Sequence, residues 1–170
     1  MTTSQAKKPV KNNRWVFTFP VRVSGKNAHR AFFLLSTRQV VTVLDTVPIW
    51  PLPFHSPTNA GIGLWNDELL PVVNLESHLG FKGADTAQAQ RLLVVHALSR
   101  HPDHSGSLKA LICVDRHMQN IPLPEECEPV SSIPWIPDTR AVRGVYNWNQ
   151  RHLIVMDLAG IINGHHGAPA

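Results

Sequence analysis

No stretch of this 170-residue sequence approaches the ~18 to 20 consecutive apolar residues that a membrane span requires. Its start, MTTSQAKKPVKNNR, lacks the apolar segment of a secretion signal, so the expected location is the cytoplasm, with no membrane insertion. Cysteine is scarce. Cys113 and Cys127 are an isolated pair without short metal-type spacing, which reads as two free thiols in a reducing compartment, with Cys113 in the apolar run LICVD a small core residue. The signatures of familiar enzymes are missing as well: there is no P-loop, no Gly-x-Ser-x-Gly elbow, no His-Glu-x-x-His and no Cys-x-x-Cys. Without these parts, phosphate transfer, acyl transfer and zinc hydrolysis have no scaffold. No catalytic residue, cofactor or metal is therefore expected.

Proline, by contrast, is plentiful: 14 residues spread along the chain interrupt any long helix and favour short strands joined by turns. The composition, 43% hydrophobic and 16% charged, is that of a folded protein with one substantial core or two small ones. The formal charge of +4 owes much to Lys7, Lys8, Lys11 and Arg14 near the N-terminus. Residues 1–13 therefore read as a basic, solvated tail, 14–162 as the folded part and 163–170 as a second tail.

The most informative feature is a repeat. Residues 61–75, GIGLWNDELLPVVNL, return without a gap as residues 144–158, GVYNWNQRHLIVMDL. Gly61 matches Gly144, Trp65 matches Trp148, Asn66 matches Asn149, and Asn74 stands opposite the near-isostere Asp157. Each copy reads as a strand, a polar turn and an apolar strand. A lone hairpin cannot bury its own apolar face, so two copies imply two similar β subdomains.

Along the chain, RWVFTFPVRV alternates as a half-buried strand with Pro20 near its edge, and AFFLL and VVTVL form two more apolar runs. The prolines of PIWPLPFHSPTN, residues 48–59, argue against regular structure there. ESHLG fits a helical turn closed by Gly80, residues 91–98 and 108–114 pair as a hairpin, and AGIIN forms a last helical turn. Among polar groups, His101 and His104 beside Asp103 are the best metal candidates, but they sit on a Gly/Ser/Pro loop that fixes no ligand geometry. Asp45 and Asp115 follow strands and suit turn backbone; His152, the candidate base, lies beside a turn. Trp65 and Trp148 precede the two turns, where aromatics either cap a core or anchor a protein contact.

These residues carry a family resemblance. Gly61, the turn Leu64-Trp65-Asn66-Asp67 and the strand Pro71-Val72-Val73-Asn74-Leu75, then ICVDRH at 112–117 and VRGVYNWNQRHLIVMDL, resemble in order and spacing the hallmarks of the CheW-like domain, the adaptor fold of bacterial chemosensory arrays. The resemblance runs from about Trp15 to Ile162. It implies an all-β fold of two intertwined, small five-stranded β barrels with short helical turns and no catalytic site. The implied partners are the regulatory domain of a CheA-type histidine kinase and the cytoplasmic tip of a chemoreceptor, and the implied contact residues are Val41, Thr42, Val43, Trp65, Asn66 and Asp67. The chain departs from the family where its turn arginine becomes Asn66, its turn glycine Asp67 and the arginine's glutamate partner Thr42. Losing both members of an ion pair costs far less than losing one, so the resemblance implies a divergent adaptor with an intact fold and altered surface chemistry. A basic β-barrel that binds nucleic acid is the alternative, disfavoured because Lys and Arg do not interleave with the aromatics.

Overall fold

Short apolar runs of β-branched and aromatic residues, punctuated by turns, give a chain of strands. The computed structural model describes residues 14–22, 30–53, 59–81, 91–98 and 106–164. Within these, β1 (Trp15–Pro20), β2 (Ala31–Ser36), β3 (Val40–Leu44), β4 (Ile49–Trp50), β5 (Asn59–Trp65) and β6 (Glu68–Val73) precede α1 (Leu75–His78). There follow β7 (Arg91–Leu98), β8 (Ser107–Val114), β9 (Gln119–Pro122), β10 (Glu128–Pro129), β11 (Val142–Trp148), β12 (Arg151–Met156) and α2 (Leu158–Asn163).

The strands form two sheets, ordered β4-β5-β6-β8-β7-β3 and β10-β11-β12-β2-β1-β9. Written this way the two correspond position by position. In each, a hairpin carries a two-residue edge strand on one side, and its second strand pairs in parallel (β6 with β8, β12 with β2) with an antiparallel pair on the other. Each sheet thus has five longer strands and one short edge strand, and its hydrogen-bonded order is open. The β4-to-β8 sheet with β3 is one contiguous stretch of chain; the other sheet is assembled from the strands before and after it, so the subdomains are intertwined as expected.

The repeat explains itself at atomic level. Trp65 pairs with Glu68 and Trp148 with Arg151 across two-residue turns. The turn residues all have positive φ: 48° and 61° at Asn66 and Asp67, 47° and 61° at Asn149 and Gln150. Both turns are of the type whose twist matches paired strands, and asparagine in the first place tolerates the left-handed region best after glycine. Gln150 has no such tolerance. Gln150→Gly is expected to stabilise the domain by about 1 kcal/mol, read as a higher urea midpoint at unchanged slope. A register shift lies at the start of each hairpin, at Asn59/Gly61 and Val142/Gly144. The Asn74/Asp157 correspondence also acquires a cause: each caps a helix, Asn74 Oδ1 accepting from the Ser77 amide at 3.2 Å and Asp157 Oδ1 from the Gly160 amide at 3.3 Å.

The main core lies between the sheets. Phe19, Phe33, Leu35, Val145 and Ile154 from one sheet meet Val73, Leu93, Val95 and Ile112 from the other, and Leu75, Leu158 and Ile161 of the two helices close its ends. The far face of the β4-β5-β6-β8-β7-β3 sheet holds a smaller cluster of Leu70, Val72, Leu92, Val94, Leu111 and Cys113. Burial on both faces corrects the expectation for β1: Val16 and Thr18 are buried as well as Phe19, and β1 sits between β2 and β9 rather than at an edge. Pro20 lies beyond Thr18, the last residue β9 reaches.

One further expectation changes, and one strand is new. Ile49 and Trp50, flanked by Pro48 and Pro51, were expected to be irregular but form β4 against Gly63 and Ile62. The prolines limit the strand to two residues and its place to an edge, where missing donors cost least. Gln119–Pro122 has little apolar alternation, yet it forms β9 because β1 offers it an open edge.

An ion pair joins the subdomains. Arg22, just past β1, donates from Nε to Glu76 Oε1 and from Nη2 to Glu76 Oε2, both at 3.0 Å, and its backbone amide donates to the same Oε1 at 3.0 Å. Nη2 also reaches the Cys113 carbonyl at 3.3 Å, tying in the end of β8. Glu76 is 1% exposed. Burial opposes the charge on Arg22, but the hydrogen bonds and charge of Glu76 outweigh it and raise the arginine pKa above its ordinary value.

Candidate protein-contact surface

The expected contact residues fall into two groups. Val41, Thr42 and Val43 lie on β3 at one end of the sheet; Trp65, Asn66 and Asp67 form the β5–β6 turn, with β7, β8 and β6 between β3 and β5 in the strand order. On β3 the register slips between Val40 and Thr42, and the extra residue, Val41, is pushed outward to 47% exposure. Thr42 is half-buried, and Val43 packs against the main core. Of the three, Val41 is the one whose side chain is mainly offered to solvent.

At the turn, Asn66 and Asp67 are exposed, whereas Trp65 is half-buried and packs against the smaller cluster. The Lys109 ammonium lies 5.8 Å from the centre of the Trp65 ring and pairs with Glu68, so β8 braces the tip. Trp65 therefore caps the smaller core with one side and borders the tip with the other. Sequence reasoning missed the apolar neighbours on the opposite face. Leu64 and Leu69 are directly paired across the hairpin and are 39% and 64% exposed; Trp50, opposite Ile62 on the same face, is 49% exposed. The alternation of GIGLWNDELLPVV carried that signal, because Ile62, Leu64, Leu69 and Pro71 share one side of a two-residue hairpin.

The second tip has a different setting. Its turn sequence, Gln150-Arg151-His152, is basic, but the fold brings Glu125, Glu126 and Glu128 to the same cavity wall as Asn149, Gln150 and His152. The guanidinium of Arg151 stacks 5.1 Å from the Phe32 ring, and His152 lies 5.7 Å from Trp135. His152 is therefore half-buried against an aromatic instead of solvated beside the turn. The second tip therefore has Arg30 and three glutamates beside its own basic turn, neighbours that the turn sequence does not show.

The remaining polar candidates have structural occupations. Asp45 pairs with Arg91 at 3.3 Å. Asp115 accepts from the amide of His117 at 2.7 Å and contacts its ring; burial would raise the Asp115 pKa, but these bonds hold it below the usual carboxylate value. Burial is also the first cause at Cys113, whose thiol is pushed up to about 11 and stays protonated at neutral pH. Both cysteines are free. His101, Asp103 and His104 lie outside the described residues, as do residues 1–13 and 165–170; Asn163 belongs to α2 and Gly164 is its left-handed cap. Among the described residues no three His, Cys, Asp or Glu side chains gather as metal ligands would, and no helix is long and apolar enough to cross a membrane.

The CheW-like domain model matches residues 21–116, more than half of the chain. The chain belongs to the CheW-like domain family. A solved structure, the scaffolding protein TtCheW from Thermoanaerobacter tengcongensis, superposes with a TM-score of 0.68 over 93% of each chain at 20% sequence identity, which extends the fold likeness well past the matched segment. No curated protein matches the chain in sequence. Membership makes this CheW-like domain a chemotaxis scaffold or adaptor by family. The first hairpin, with Gly61 and the Asn66-Asp67 turn, lies within the matched segment.

Proposed function

We propose that this CheW-like domain is a non-enzymatic adaptor that couples the regulatory domain of a CheA-type histidine kinase to the cytoplasmic tip of a chemoreceptor, in the cytoplasm, through protein contacts alone. The family match over residues 21–116 is the observation that carries this reading. The kinase-facing surface is assigned to Val41, Thr42 and Val43 with the face of Trp65 and the Asn66-Asp67 turn. Supporting it, the turn is exposed, and its left-handed pair gives it one defined shape. Because the family's arginine and glutamate are Asn66 and Thr42 here, the contact rests on the aromatic and on Asp67 more than on an ion pair. A nucleic-acid-binding role has against it Asp67 and Glu68 at one tip and three glutamates beside the other.

The test is surface binding of the full chain to the purified kinase regulatory domain from the same organism. Trp65→Ala is expected to weaken binding by roughly thirtyfold, the loss of a partly buried aromatic anchor. Asp67→Lys should chiefly slow association and change its salt dependence, as a rim charge does. Circular dichroism separates the roles of Trp65. An unfolded Trp65→Ala variant makes the side chain purely a core cap, and a folded variant that binds normally places the interface elsewhere.

A further inference from the structure

We propose that a pocket at one end of the β10-β11-β12-β2-β1-β9 sheet, where β1 begins and β2 ends, binds an acidic peptide segment carrying one bulky apolar side chain. This is separate from the contact surface assigned above and does not depend on it. The cavity is about 590 Å³, and Arg14, Trp15, Ser36, Thr37, Arg38 and Leu123 line it, with no carboxylate among the lining residues. Such a volume suits a side chain and its flanking backbone.

The chemistry comes from what the arginines lack. Arg22, Arg91, Arg140 and Arg143 are paired with Glu76, Asp45, Asp138 and Asp157. Arg14, Arg30, Arg38 and Arg151 have no ion pair among the described residues; of these, Arg14 and Arg38 line one cavity together, whereas Arg30 lies beside three glutamates and Arg151 stacks on Phe32. Planar guanidinium donors of this kind suit carboxylates. Beside them, Trp15 and Leu123 are 42% and 39% exposed and offer an apolar wall. The backbone that carries these groups is fixed. Thr37 Oγ1 donates to the Trp15 carbonyl at 3.1 Å, the Leu123 amide donates to the Arg14 carbonyl at 2.6 Å, and Ser36 and Gln39 close a reciprocal cap on the 3-10 turn bearing Arg38. Ordering costs on binding are correspondingly small.

A nucleic acid fits less well. Single strands use a row of aromatic platforms along a continuous basic groove, whereas here one tryptophan lines the pocket and the chain leaving Leu123 runs directly into Glu125, Glu126 and Glu128. A short acidic segment avoids that wall; a long polyanion meets it.

The experiment is fluorescence anisotropy of the full chain with fluorescein-labelled Glu-Asp-Glu-Phe-Glu-Asp. A peptide with lysine at every acidic position and a labelled twelve-nucleotide oligothymidylate run in parallel. The acidic peptide is expected to bind and the basic one not to. Arg14→Glu and Arg38→Glu should each weaken binding at least about tenfold, as should Trp15→Ala or replacing the peptide's phenylalanine by serine. Arg30→Glu, which lies at a different cavity, should change it by less than about twofold. Arg38→Gln serves if a reversal disturbs folding by circular dichroism, and is expected to weaken binding in the same direction. The proposal is overturned if the acidic peptide does not bind, if binding survives both reversals, if Arg30→Glu costs as much as they do, or if oligothymidylate binds more tightly through the same residues.

Discussion

Glu76→Ala is expected to destabilise the domain by about 3 to 5 kcal/mol, because it strands a buried guanidinium with its counter-charge gone and the Cys113 carbonyl as its remaining described acceptor. Three hydrogen bonds end on the Glu76 carboxylate, all from Arg22, and the carboxylate is almost fully buried. The same pair joins α1, which follows one sheet, to the end of β1 in the other, so its loss should loosen the subdomains from each other as well as lower total stability. The double replacement Arg22→Met with Glu76→Leu removes both charges and should cost clearly less than Glu76→Ala alone. Urea unfolding of the three proteins measures this. Equal losses in the single and double variants would mean that the packing of Glu76, and not its charge, matters.

Gly61→Ala should be comparably damaging, whereas Gly144→Ala, at the matching position of the second hairpin, should be mild. At Gly61 φ is +146°, and an added Cβ would sit 2.4 Å from the Trp50 carbonyl oxygen, a backbone atom that cannot move without breaking the pairing of β4 with β5. Strained backbone and displaced edge strand together are expected to cost about 3 kcal/mol. The Cβ of an alanine at 144 would meet the Tyr146 ring at 3.1 Å. That ring is partly exposed and can swing away, so the cost should stay below about 1 kcal/mol. Thermal unfolding of the two variants gives the comparison. Equal losses would show that the glycines answer to the register shift they share and not to the approach of β4.

The hairpins were legible in the sequence because their determinants are local: Asn66 and Asn149 accept left-handed turns, apolar residues alternate on either side, and Asn74 and Asp157 cap the helices that follow. The hairpin of β7 and β8 was legible for the same reason. What joins these pieces was not. Arg22 and Glu76 are brought together by the folding of the two sheets, and nothing near either residue announces the other. β4 was hidden by its flanking prolines, which limit a strand without forbidding one, and β9 by a sequence whose pairing depends on the free edge of β1. At the candidate surface, the tip residues were placed correctly as a turn. Val43 shows the limit of reading a strand without its partners: which of Val41, Thr42 and Val43 faces outward is decided by a register slip against β7. The glutamates beside the second tip were equally out of reach, since Glu125, Glu126 and Glu128 share a cavity with Gln150 only in three dimensions.

The most direct test of the adaptor reading is whether the chain bridges its two partners. Size-exclusion chromatography with light scattering would be run on the full chain mixed with the purified kinase regulatory domain and a soluble receptor-tip fragment from the same organism. The expected result is a ternary complex containing all three, with no kinase–receptor complex of that mass when the chain is omitted, and with the kinase fragment lost when Trp65→Ala replaces the wild type. Three separate peaks at concentrations of roughly tens of micromolar, where partners with a Kd of about 1 μM, some 8 kcal/mol of binding free energy, would be mostly assembled, would contradict the account.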